Sequence, residues 1–198
     1  MSYLTLNTPN IIHYEIKKSS FHTAVYPIFS RTDALAALAL EKQKYPDARH
    51  HCWAYVLGDP VVPTNQGYND DGEPSGTAGK PILNIIKHGE FGNVVVIVSR
   101  YFGGIKLGAG GLVRAYSQAT KEVLKSAEGI PFVPTEKLGL VFKFEQESWL
   151  RNQATRLGIT LNDFSYAELV TCVAVVPEVE KDGFIILCKN QQVGITQD

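Results

Sequence analysis

Residues 94–98 read Val-Val-Val-Ile-Val, the longest strongly apolar run in the chain, and the segment continues through Ser99 and Arg100 to Tyr101. Consecutive aliphatic, mostly β-branched residues without alternation predict a strand buried on both faces. The run is far shorter than the roughly 18 residues needed to cross a bilayer. A glycine-rich stretch at residues 103–111 follows it, then a helical pattern to about Ser126. In that helix Leu112, Ala115, Tyr116, Ala119 and Val123 form one apolar stripe.

The segments on either side are read from the same periodicities. Two alternating stretches, residues 11–17 and 21–28, flank Lys18-Ser19-Ser20 and predict a hairpin. Ser30-Arg31-Thr32-Asp33 has the capping-box pattern. Leu35, Leu38 and Ala39 give the helix that follows its apolar spacing, and Pro46 stops it near Tyr45. Residues 51–57 read as a strand, and residues 58–76, with three prolines and the acidic group Asp70, Asp71 and Glu73, as a loop. Thr77 is the expected cap of a short helix whose Ile82, Ile85 and Ile86 share a face.

Pro131 and Pro134 mark the expected domain boundary, giving domains 1–132 and 135–198. Beyond them the pattern runs strand (Leu138, Leu140, Phe142, Phe144), helix (147–157, closed by Gly158), strands near 159–166 and 169–176, a helix after Pro177, and a strand near 192–196. That βαββαβ order predicts a ferredoxin-like domain. The fold class is therefore α+β, in two domains.

Composition narrows the function classes. With 198 residues, 44% apolar and 20% charged, the chain is neither disordered nor fibrous. The N-terminus lacks a basic region followed by an apolar core, and Cys52, Cys172 and Cys188 are too few and too scattered for a disulfide scaffold. A cytoplasmic protein without membrane contact is expected. The net charge of −1 conceals an asymmetry: residues 79–125 carry seven Lys/Arg against two Asp/Glu, whereas residues 126–198 carry six against ten. A near-neutral total thus leaves room for a polyanionic partner.

Several motifs carry chemistry. The segment Pro74-Ser-Gly-Thr-Ala-Gly79-Lys80-Pro81 imitates a phosphate-binding loop, but Pro74 replaces its first glycine and Pro81 the magnesium-binding hydroxyl, so nucleotide hydrolysis is not expected. Gly108, Gly110 and Gly111 stand where a dinucleotide fingerprint would, but Val113 occupies the third glycine's place. What remains is backbone able to approach an anion at a helix N-terminus, or glycines serving only tight turns. Arg114, Gln118, Lys121 and Lys125 recur opposite the apolar stripe; Arg114, Lys121 and Lys125 with Lys80, Arg100, Lys106, Gly108, Gly110 and Gly111 form the candidate anion- and nucleic-acid-binding set, or simply a solvated face. His50-His51-Cys52 invites a metal reading, yet neighbours on a strand face opposite ways and no second ligand cluster has suitable spacing. No metal and no cofactor are expected. His51 with Asp70, Asp71 and Glu73 is the candidate hydrolytic set.

Three blocks together resemble one family. Residues 71–83, Asp-Gly-Glu-Pro-Ser-Gly-Thr-Ala-Gly-Lys-Pro-Ile-Leu, and residues 99–116, Ser-Arg-Tyr-Phe-Gly-Gly-Ile-Lys-Leu-Gly-Ala-Gly-Gly-Leu-Val-Arg-Ala-Tyr, are similar to the hallmarks of the YigZ/IMPACT family, and Ala48-Arg-His-His-Cys52 resembles its bacterial members. The resemblance implies an N-terminal domain like domain IV of elongation factor G, of the ribosomal-protein βαβ type, and a C-terminal ferredoxin-like domain. It implies a link to translation, since eukaryotic members regulate translation during amino-acid starvation. The additional N-terminal partner-binding domain of those members is expected to be absent here. The resemblance supplies no catalytic residues. The reading that results is a non-enzymatic, translation-linked regulatory protein that binds RNA or a ribosome-associated surface. A hydrolase at the His/Asp/Glu set and a protein-interaction module stand as alternatives.

Overall fold

A computed structural model describes residues 3–196. The chain divides into two compact units, Met1–Phe132 and Val133–Asp198. The first contains strands β1 (Leu4–Leu6), β2 (Asn10–Ile16) and β3 (Ser19–Pro27), helix α1 (Arg31–Lys44), strands β4 (His50–Gly58) and β5 (Pro63–Asn69), helix α2 (Gly79–Lys87), strand β6 (Val94–Tyr101), helix α3 (Ala109–Lys125) and strand β7 (Gly129–Pro131). The second contains β8 (Thr135–Phe142), α4 (Glu147–Leu157), β9 (Thr160–Tyr166), β10 (Val170–Pro177), α5 (Lys181–Asn190) and β11 (Gly194–Thr196).

The apolar run is the middle strand of the first unit. Its five-stranded sheet has the order β2-β3-β6-β4-β5, and every neighbouring pair is antiparallel. Because β6 lies between β3 and β4, those two are mutually parallel and α1 connects them across it. Val94, Val96 and Val98 face a core closed by Ile82 and Ile86 of α2 and by Leu112, Ala115, Tyr116, Ala119 and Val123 of α3. Val95 and Ile97 face the opposite side, where Ala34 and Ala37 of α1 pack with Ile28 and Tyr55. Both faces of the strand are thus covered, as the lack of alternation required. A small ribbon pairs β1 with β7 and joins the two ends of the unit.

Three local expectations of the first unit need correction. Residues 63–69 form strand β5, not loop; they pair with β4 at the sheet edge, where a polar sequence opening with Pro63 is tolerated. The buried side of α1 is Ala34, Ala37 and Glu41 with half-buried Leu38, while Leu35 and Ala39 are exposed. Small residues are used there because the helix lies close on β4 and β6; Glu41 is accommodated because it accepts a 2.6 Å hydrogen bond from the Tyr26 hydroxyl. Thr77 does not cap α2: its hydroxyl donates to the Pro74 carbonyl, and the cap position is Ala78. The short strands β1 and β7 carry no periodic signal because each has only three residues. Ser30 and Asp33 do form the expected capping box, and Tyr45 closes α1.

The second unit has the βαββαβ element order expected of it. Its four-stranded sheet runs β11-β8-β10-β9, and the buried residues of β8 and β10 pack with Leu150 and Ala154 of α4 and with Phe184 and Cys188 of α5. Gly158 ends α4 in the left-handed conformation, φ 65°. Cys172 and Cys188 are buried in this core. No helix among the described residues is long and apolar enough to cross a membrane.

Ile97 tests the double burial of β6. Ile97→Ala is expected to lower the unfolding free energy by about 2–5 kcal/mol in chemical denaturation. A loss under about 1 kcal/mol would show that the α1 side is loosely packed.

Candidate functional site

The two glycine-rich segments and the end of β6 converge on one buried carboxylate. Glu73 Oε1 accepts a 2.6 Å hydrogen bond from Arg100 Nη1 and a 2.8 Å bond from the Tyr116 hydroxyl. The Arg100 and Glu73 side chains are only 7% and 4% exposed. Arg100 Nη2 donates to Ser19 Oγ at 3.3 Å, and its guanidinium lies over the rings of Phe21 and Phe102. Cys52 Sγ donates to the Asp70 carbonyl at 2.9 Å and approaches the Tyr116 hydroxyl at 3.3 Å. Burial pushes both the Cys52 thiol and the Tyr116 phenol up, so each stays protonated and each can donate.

The remaining acidic residues close local structure. Asp70 accepts from three backbone N–H groups, Gly76 through Oδ2 at 2.8 Å and Ala78 and Gly79 through Oδ1 at 3.0 and 2.8 Å. The segment resembling a phosphate-binding loop follows strand β5, within the stretch 58–76 that the sequence reads as loop, but the donors that would face a phosphate hold this internal carboxylate. Asp71 Oδ2 accepts from the His51 backbone N–H at 2.7 Å, and its Oδ1 lies 3.7 Å from Lys42 Nζ. His51 is buried, and its Nδ1 meets Ser99 Oγ at 2.8 Å. His51, Asp70, Asp71 and Glu73 are therefore near in space, yet each carboxylate has its own structural partners rather than the imidazole.

Strand alternation sends His50 to the face opposite His51. The β4–β6 register sets His50 directly across from Arg100. His50 Nδ1 donates to the Asp71 carbonyl at 2.8 Å, which leaves Nε2 carrying the lone pair in the neutral ring. His50, Arg49, Arg100, Phe102 and Lys106 line a cavity of about 420 Å³ with Gly108 and Ala109, the start of α3. Gly108 has φ 72°, a conformation glycine adopts without strain. Gly103 is required by close approach: a Cβ there would fall 1.8 Å from the Lys18 carbonyl oxygen.

The structure thus gathers Arg100, Lys106 and Gly108 of the candidate set into one cavity, with Gly110 and Gly111 in the first turn of α3 beside it. Arg114, Lys121 and Lys125 follow along the exposed side of that helix. Gln118 on the same side donates to Glu122 at 2.7 Å, which places one carboxylate among the cations. Lys80 is exposed on α2 and does not line the cavity. Arg100 is not a free surface cation, since Glu73 holds it. The sequence offers Arg49 and Phe102 no ligand-facing signal and His50 only a metal reading, because the register that sets them beside α3 is a long-range property. The alternation of β4 was the one available signal, since it separates His50 from His51.

The Impact N-terminal domain family model matches residues 17–124, more than half of the chain. The chain belongs to the IMPACT family. An IMPACT family member of Haemophilus influenzae is 46% identical over 126 residues, covering 64% of this chain and 61% of that protein. IMPACT family member YvyE of Bacillus subtilis is 34% identical over 186 residues, covering 92% of this chain and 83% of that one. The chain thus spans about three-fifths of the Haemophilus relative and most of the Bacillus one. A crystal structure of a hypothetical protein superposes with a TM-score of 0.74 at 30% identity, covering 100% of this chain and 97% of that one. Glu73, Arg100, Tyr116 and the cavity all lie within the IMPACT-matched segment.

Two predictions follow from the buried cluster. Removing one partner of a buried ion pair strands the other, so Arg100→Met and Glu73→Gln are each expected to cost about 3–5 kcal/mol of stability. The double variant should lose clearly less than the sum; additive losses would show that the two side chains act independently. His51 supplies a pH signature, because burial and then the Lys42 ammonium hold its imidazole below the ordinary 6.5. The folded chain then binds fewer protons than the unfolded chain just below pH 6.5, so this contribution is complete above that pH and declines as the pH falls. Denaturant titrations on either side of pH 6.5 should show a smaller acid loss for His51→Asn than for the natural protein, and equal losses would contradict the assignment.

Proposed function

We propose that this IMPACT-family chain is a translation-linked regulatory protein of the cytoplasm that binds RNA or a ribosome-associated surface through helix α3. The observation that carries this reading is the continuity of positive charge along one helix. Arg114, Lys121 and Lys125 are exposed along α3, whose N-terminus opens beside Lys106 and Arg49. From Arg114 to Lys125 the helix rises about 16 Å, the scale of several phosphates rather than of one small metabolite. The family resemblance supports the connection to translation.

We read the first unit as similar to domain IV of elongation factor G and the second as ferredoxin-like. The parallel pair β3 and β4 split by β6, with α1 between them in sequence, supports the former, and the order β11-β8-β10-β9 supports the latter. The hydrolase reading is weaker: the carboxylates of Asp70, Asp71 and Glu73 are engaged by backbone N–H groups, Lys42, Arg100 and Tyr116.

The test is binding of single-stranded RNA and of ribosomes at several salt concentrations, for the natural protein and for an Arg114/Lys121/Lys125→Ala variant. Each phosphate contact on a single strand contributes about 0.7 to the slope of log affinity against log salt, so the variant's slope should shrink by about 2. Base identity should matter little, because lysines position rather than read. Unchanged affinity and slope in the variant would remove this face from the mechanism, and no binding by the natural protein at low salt would favour a protein-interaction module.

A further inference from the structure

The hairpin of β2 and β3 turns through Lys17 and Lys18, both left-handed at φ 47° and 62°. That two-residue turn sets the register: Ile16 lies opposite Ser19, Glu15 opposite Ser20, Tyr14 opposite Phe21 and His13 opposite His22. Phe21 and Tyr14 pack into the core shared with α2 and α3, so His13, Glu15, Ser20 and His22 stand on the other face, that of α1. The pair beside such a turn exchanges both backbone hydrogen bonds, and the ladder alternates from there. His13 and His22 are therefore a non-hydrogen-bonded pair, the kind whose side chains come closest.

The side chains use that closeness. The two imidazoles stack with centroids 4.7 Å apart and planes 17° from parallel. Tyr45, which ends α1, also stacks on His22 at 4.5 Å, and Tyr101 meets it edge-on at 5.6 Å. His22 is thus fixed by three rings, whereas His13 is exposed. Both Nε2 atoms converge on one oxygen: Ser20 Oγ lies 2.6 Å from His13 Nε2 and 3.3 Å from His22 Nε2. A hydroxyl has a single proton, so it can donate to only one of them; the other imidazole bonds it only by keeping a proton on Nε2. Two ring nitrogens are aimed at one point where only one lone pair is used.

We propose that His13 and His22 bind a divalent late transition-metal ion, of the zinc and nickel class, between their Nε2 atoms beside Ser20. Such an ion accepts both lone pairs at about 2.1 Å, which at a tetrahedral angle sets the two nitrogens about 3.4 Å apart. Both already stand within 3.3 Å of the Ser20 oxygen, and the exposed His13 can rotate to close the remainder. Paired imidazoles select zinc, nickel or copper over magnesium and calcium, which prefer oxygen ligands. Glu15, exposed and opposite Ser20, adds a carboxylate to the same face of the hairpin. No three His, Cys, Asp or Glu side chains among the described residues are grouped for a metal ion. The ion therefore has two protein nitrogens and completes its shell with water, the signature of an exchangeable site and not of a closed structural one. His51 shares this face but is buried, and its Nδ1 meets Ser99. The sequence expectation of no metal concerns the contiguous His50-His51-Cys52; His13 and His22 are nine residues apart and meet only through strand register. A bound ion would tie the edge strand β2 to β3 and favour the folded hairpin. The site is independent of RNA binding along α3.

The experiment is calorimetric titration of the metal-free full chain, made without a histidine tag, with zinc chloride, nickel chloride and magnesium chloride. Zinc and nickel should each bind at one site per chain, and magnesium not measurably. His13→Gln alters an exposed side chain and should weaken zinc at least tenfold, as should His22→Gln, while His50→Gln and His88→Gln should leave it unchanged. Nitrogen resonances of the imidazoles should move at Nε2 of His13 and His22 alone. Zinc should also raise the thermal midpoint of the natural protein and not that of His13→Gln. Absence of zinc and nickel binding at millimolar concentration, equal affinity in His13→Gln, or loss of binding in His50→Gln overturns the proposal. Magnesium binding as tightly as zinc does so too, since it would assign the ion to carboxylates.

Discussion

Everything at the candidate site is hung on the buried contact of Glu73 with Arg100 and Tyr116. Glu73 comes from the loop before α2, Arg100 from the end of β6 and Tyr116 from the middle of α3, so one carboxylate fixes three segments far apart in sequence. Two opposite charges removed from water are tolerated only when their hydrogen bonds are nearly complete. Glu73 gains two short donors, and Arg100 is held between Glu73 and Ser19 and between two aromatic rings. The single omission is the Arg100 Nε.

The same cluster gives the two glycine-rich segments different roles. Around residues 70–79 the glycines let the backbone wrap an internal carboxylate, that of Asp70, and the anion position is filled by the protein itself. Around residues 103–111 they let the chain press against Lys18 and turn into α3 through Gly108, and no internal carboxylate takes that anion position. The cations that surround the second segment continue along α3, which makes the cavity and the helix face one surface instead of two separate features.

Much of this architecture was legible in the sequence because it is local. The unbroken apolar run of β6, the Ser30–Asp33 box, the stripe of α3 and the Gly158 stop each declare themselves within a few residues. What escaped is set by distant partners. The segment 63–69 has poor intrinsic strand character and becomes β5 because the edge of β4 needs a partner. The α2 cap comes from Asp70, nine residues before Gly79, beyond any cap template. The His50–Arg100 juxtaposition depends on strand register, so the sequence places the hydrolytic set around His51 while its neighbour His50 lines the cavity. The acidic group was visible as a cluster, but only the fold shows that its members are occupied.

The central claim, that the start of α3 is the anion-binding end of this molecule, is tested most directly by backbone amide nuclear magnetic resonance during titration with a short phosphorylated RNA. The account predicts the largest shifts at Ala109, Gly110 and Gly111, smaller ones toward Arg114, and little change at Gly76, Ala78 and Gly79, whose N–H groups already bond Asp70. Shifts concentrated at residues 76–79, or confined to residues 133–198, would contradict it.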